Sequence, residues 1–81
     1  MYHVYLLQSL SDPSRKYIGF TEREISERLK EHNAGESIHT NKHKPWECIS
    51  YFTFKDKKKA ENFEAYLKHG SGHAFAKRHF W

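Results

Sequence analysis

Tyr5, Tyr17, Arg28, His32 and Glu64 are the side chains in this 81-residue chain whose types and order suit one reaction. Hydrolysis of a phosphodiester needs an activated water in line with the leaving oxygen, positive charge to offset the phosphorane-like transition state, and help for the leaving group. Arg28 offers a planar fork that matches a phosphate. Glu64 can hold one Mg²⁺ ion, or Mn²⁺ in its place, largely through waters, because magnesium accepts a single protein carboxylate when substrate phosphate completes its shell. Tyr5 and Tyr17 are unusual general bases, since a free phenol has a pKa of ~10. A cationic neighbourhood favours phenolate, and Arg28 and His32, one helical turn apart, are the nearest residues to supply it.

Each of these residues also has a plainer role. Tyrosines on covered strands often leave only the hydroxyl at the rim of a core. Arg28 is spaced to pair with Glu24 or Glu31, and Glu64 to pair with Lys68. His32 suits the last turn of a helix, where the macrodipole favours positive charge. The ordered set is harder to explain in these terms than any one member.

The elements that must position these groups are legible in outline. Tyr2 to Leu7 alternates as a strand, with Tyr2, Val4 and Leu6 on one face and His3, Tyr5 and Leu7 on the other; apolar residues on both faces imply a covered sheet. Asp12-Pro13 marks a turn, and Lys16 to Phe20 returns as the second strand of a hairpin, placing Tyr5 and Tyr17 on one face. Thr21 and Glu24 form a T-x-x-E capping box for a helix that Gly35 ends. On that helix Ile25, Arg28, Leu29 and His32 fall in a single arc. Glu36 to Pro45 is a polar connection, long for so small a domain and a candidate binding loop. Trp46 to Phe54 is a third strand, central or well covered. Asp56 caps a second helix whose apolar stripe is Ala60, Phe63 and Leu67, with Glu64 on its flank, and Gly70 ends it. Ser71 then caps a short helix from Gly72 to Lys77, after which Phe80 and Trp81 dock as apolar bulk.

Size and charge bound the rest. Residues 1–81 make one small domain, the lone Cys48 has no disulfide partner and reads as a small buried hydrophobe, and no apolar stretch is long enough to cross a bilayer. With no signal-peptide pattern at Met1 to Val4, the expected location is the cytoplasm. The formal charge of +4 and pI near 9.3 favour polyanionic partners. Lys57, Lys58 and Lys59 open a helix, where the macrodipole disfavours cations, so a phosphate-backbone contact is one reason for them to be there. Lys42, Lys44 and Lys68 extend the candidate nucleic-acid surface.

His3-Val4-Tyr5, Tyr17-Ile18-Gly19, the Arg28 and His32 helix, Lys44-Pro45-Trp46, Glu64 and the ending Gly70-Ser71-Gly72-His73-Ala74-Phe75 together resemble the GIY-YIG nuclease family along nearly the whole chain. The sequence is similar to small standalone bacterial members that look like the N-terminal nuclease domain of the excision-repair endonuclease. The resemblance implies an α+β fold, a three-stranded antiparallel sheet flanked by helices, and metal-dependent endonucleolytic cleavage of DNA. One small domain offers few base-reading elements, so the expected target is branched or damaged structure rather than sequence, in repair or recombination. The resemblance also implies Tyr5 as base, Tyr17 as its assistant, Arg28 on phosphate, His32 supporting the tyrosines or the leaving group, and Glu64 on the metal. His3-Val4 departs from the Gly-Ile that names the first motif, and Ala74 to His79 offers no asparagine of the kind some members use. The alternative is a nucleic-acid-binding or adaptor module that keeps the fold and cleaves poorly or only with a protein partner. Either form is expected as a monomer or weak homodimer.

Overall fold

The computed structural model describes residues 1–81. Three strands, β1 (Tyr2–Ser9), β2 (Lys16–Thr21) and β3 (Trp46–Phe54), form an antiparallel sheet in the order β2-β1-β3. Three helices accompany them: α1 (Ile25–Asn33), α2 (Lys57–Lys68) and α3 (Gly70–His79). The architecture is α+β, as the sequence implies. No helix is long and apolar enough to cross a membrane.

β1 is central, and its two-residue period sorts the molecule into layers. Val4 and Leu6 point to one face, where they meet Ala60 and Leu67 of α2 and Ala76 of α3; Phe52, Phe63, Phe80 and Trp81 close over them. Tyr5 and Leu7 point to the other face and pack with Trp46, Tyr17, Ile25 and Leu29 beneath α1. Val4 to Leu7 are therefore all buried, which accounts for an unbroken apolar run in a strand covered on both sides. The pairing Tyr5↔Gly19 and Leu7↔Tyr17 puts Tyr5 and Tyr17 on the same face.

Two helix starts differ from expectation. Thr21 and Glu24 form no capping box: pairing with His3 holds Thr21 in β2, its hydroxyl accepts from the Arg23 N–H at 3.1 Å, and α1 begins at Ile25 with no side-chain cap. Ser71 caps nothing either, because α3 starts at Gly70 and runs to His79. Asp56 does cap α2, accepting from the Lys59 N–H at 3.2 Å. At the end of α1, the Gly35 N–H bonds to the His32 carbonyl and the Glu36 N–H to the Glu31 carbonyl, a Schellman pair that needs the φ of +81° Gly35 supplies.

The connection from Glu36 to Pro45 is a tightly tied segment, including a single 3₁₀ turn at Asn41–His43. Asn33 brackets the Trp46 backbone, donating to its carbonyl at 3.1 Å and accepting from its N–H at 2.6 Å. Trp46 Nε1 donates to the Thr40 carbonyl at 2.8 Å, and the Ser9 hydroxyl donates to the His43 carbonyl. These ties fold the segment against α1 and β3 and bury Thr40 completely.

Candidate active site

Tyr5 leaves the middle of β1 and lays its ring across Gly19 of β2. A Cβ at Gly19 would lie 2.8 Å from Tyr5 Cε2 and closer still to Cζ and the hydroxyl, so only glycine lets the ring pass. The hydroxyl thereby arrives at the β2 edge of the sheet. There it meets His32 Nε2 at 2.9 Å, and His32 Nδ1 meets the Thr40 hydroxyl at 2.6 Å. Tyr17 completes the cluster, its ring centroid 5.2 Å from that of His32 and 6.3 Å from that of Tyr5.

Thr40 is wholly buried and Tyr5 nearly so, and each hydroxyl is hydrogen-bonded to His32, so the imidazole bridges the two, accepting from one and donating to the other. Burial, helped by the Arg28 charge, pushes the His32 pKa down to about 4, so the imidazole is neutral. This corrects one expectation: His32 supplies no positive charge to the tyrosines, and meets Tyr5 as a neutral hydrogen-bond partner.

Tyr5 itself is corrected in the same sense. Desolvation raises its pKa to about 12, and the attraction of Arg28 only partly offsets this. Neighbouring Tyr17 and the Glu64 carboxylate push the same way as burial. The resting side chain is a phenol, held by His32 and faced by a guanidinium.

Arg28 comes from the inward arc of α1, half-buried, with Nη1 2.9 Å from Glu31 Oε1. Burial works against its charge, but Glu31 and Tyr5 more than compensate and keep its pKa above the ordinary value. Glu31 is shared with Arg23, and the two guanidiniums hold its carboxyl below the usual range. Arg28 thus pairs as the plainer reading expects, and also faces Tyr5. Glu64 approaches from α2, on the opposite layer; Lys68 Nζ donates to its Oε2 at 3.0 Å, while Oε1 takes no hydrogen bond from the protein. The site therefore straddles the β2 edge, with Arg28 and His32 contributed from one side and Glu64 from the other.

No group of three or more His, Cys, Asp or Glu residues is placed to hold a metal. That donor set does not suit zinc, which needs three or four protein ligands. It does suit one magnesium-like ion bound through a single carboxylate oxygen, waters and substrate phosphate, and Glu64 Oε1 is such an oxygen.

The candidate lysines are dispersed. Lys68 lies at the site through Glu64. Lys57, Lys58 and Lys59 are exposed at the far end of α2, where Lys57 stands 3.6 Å from Glu22. Lys42 and Lys44 are exposed on the tied segment after α1, with Lys44 Nζ 2.9 Å from Asn41 Oδ1. Sequence reasoning missed Thr40, whose role depends on burial, and the cations Arg15, Lys16 and Lys77, which gather with Lys68 only in three dimensions.

A search of curated proteins finds no match. A family model for the GIY-YIG catalytic domain, however, matches residues 1–77. The match covers all three strands, the Tyr17-Ile18-Gly19 segment over which Tyr5 lies, and the helices that carry Arg28, His32 and Glu64. With the β2-β1-β3 sheet and its flanking helices, this places the chain in the GIY-YIG catalytic domain family, whose fold is of the nuclease type.

Proposed function

We propose that this domain is a divalent-metal-dependent endonuclease that hydrolyses DNA phosphodiester bonds, selecting branched or damaged structure rather than sequence, in repair or recombination. One observation carries the reading: the Tyr5 hydroxyl is passed across Gly19 to a place where it is hydrogen-bonded to His32 and faced by Arg28. Tyr5 loses its proton to solvent, the His32 ring N–H and the Arg28 charge stabilise the resulting phenolate, and that oxygen then takes a proton from the attacking water. Tyr17, adjacent on the same face, orients that water. Arg28 releases Glu31 to bind the scissile phosphate through its fork. Glu64 holds the ion, which supplies charge to the transition state and cancels the carboxylate's unfavourable effect on Tyr5. Selection by structure is consistent with so small a domain, since phosphate contacts position a protein without reading sequence.

The test is Mg²⁺-dependent cutting of single-stranded, duplex and branched DNA by pure protein. Glu64→Ala is expected to lower cutting by ~100-fold or more while preserving the fold. Full activity in that variant would remove Glu64 from the metal site.

A second reading, a binding module that keeps the fold without cleavage, has its own support. Arg28 and Glu64 are both engaged in ion pairs, and the Tyr5 pKa is raised to about 12. It requires salt-sensitive DNA binding with no cutting under any divalent ion.

A further inference from the structure

Beside the candidate site lies a concavity of about 590 Å³, walled by the β1–β2 turn and start of β2, the end of α2, and α3 with the residues after it. It is lined by the basic side chains Arg15, Lys16, Lys68, His73 and Lys77, with no acidic side chain. Two of these are partly neutralised, Arg15 by Asp12 at 3.6 Å and Lys68 by Glu64 at 3.0 Å. Lys16, His73 and Lys77 enter no ion pair. The apolar wall is Tyr17, Ile18 and Trp81, of which Trp81 packs against the core on one side and lines the cleft on the other, with Lys16 Nζ 5.7 Å above its ring. Trp81 lies beyond the residues that the family model matches.

The cleft adjoins the site described above: Tyr17 lines it while its ring sits tilted against that of His32, and Lys68 lines it while paired to Glu64. We infer that this cleft binds one unpaired nucleotide of a DNA strand, adjacent to the phosphate presented to Arg28, with its phosphate on Lys16 and Lys77 and its base against Trp81. The inference rests on the nuclease reading for the identity of the neighbouring phosphate. A concavity of this volume suits a single small ligand, and a base reaches its aromatic wall only when freed from its partner strand. Unpaired cations in a cleft without acids select a phosphate over a neutral ring. Stacking on an indole face tolerates any base, so the cleft rewards single-stranded character next to the cutting point and reads no sequence.

The test is fluorescence anisotropy of a labelled duplex with and without a short unpaired flap, in chelator so that no cutting occurs. Wild type is expected to bind the flapped duplex about tenfold tighter than the blunt one, the scale of one stacked base. In Trp81→Ala that ratio falls towards one. Because Trp81 also contacts the core, Lys77→Glu serves as a second variant on an exposed side chain, and the same collapse of the ratio is expected there. Equal wild-type affinity for both duplexes, or an unchanged ratio in Lys77→Glu, overturns the proposal. Cutting measured separately with Mg²⁺ distinguishes the two readings: flap preference without cutting leaves the cleft and removes the nuclease, whereas cutting without flap preference does the reverse.

Discussion

At the scale of single residues, a buried hydrogen-bonded chain runs from Thr40 through His32 to Tyr5. Thr40 anchors Nδ1, and the imidazole tautomer decides whether Tyr5 receives a hydrogen bond or gives one away. Thr40→Val keeps the shape and deletes the hydroxyl. Its expected effects are a destabilisation of about 1–3 kcal/mol, from the stranded Nδ1, and at least roughly a tenfold loss of cutting rate. Thr40→Ser should restore both. Nitrogen NMR shifts of His32, with one tautomer shared by wild type and Thr40→Ser and lost in Thr40→Val, check the cause independently of activity. Thr40 could not be found from sequence, because it has no periodic neighbourhood and acquires its role only when Trp46 and Asn33 fold its segment inward. Arg28 and His32 were legible because helical spacing alone puts them in one arc with Ile25 and Leu29.

Elements decide where the chemistry is exposed. β1 is covered on both faces, so a tyrosine at its centre would be an inert core residue if its neighbour on β2 had a side chain. Gly19 lets its ring pass over β2 so that the hydroxyl reaches His32. Gly19→Ala should displace the Tyr5 ring, cost about 1–3 kcal/mol in urea unfolding, and abolish cutting out of proportion to that loss. A fully active Gly19→Ala would mean the ring need not cross β2. The hairpin and the paired tyrosines follow from alternation and from Asp12-Pro13 turn chemistry, which are local signals. The capping box at Thr21 failed for the converse reason: a T-x-x-E pattern is local, and strand pairing with His3 overrode it. The cleft around Trp81 draws on three distant stretches of chain, so no window of sequence contains it.

For the whole molecule, titration of the buried cluster should govern stability at both ends of the pH scale. The His32 pKa is lowered from 6.5 to about 4, so the unfolded chain takes up a proton first as pH falls. Stability is complete above pH 6.5 and declines towards pH 4; thermal unfolding midpoints should follow that course, with the decline flattened in His32→Asn. The Tyr5 pKa is raised from 10.0 to about 12, so stability should fall again as pH rises through that interval. The same buried phenol is the centre of the proposed reaction, and the most direct measurement is Mg²⁺-dependent nicking of branched DNA by wild type and Tyr5→Phe under identical conditions. The variant keeps the ring over Gly19 and loses only the hydroxyl. A fall of about 100-fold or more with an intact fold is the predicted result, and nicking at the wild-type rate would contradict the account.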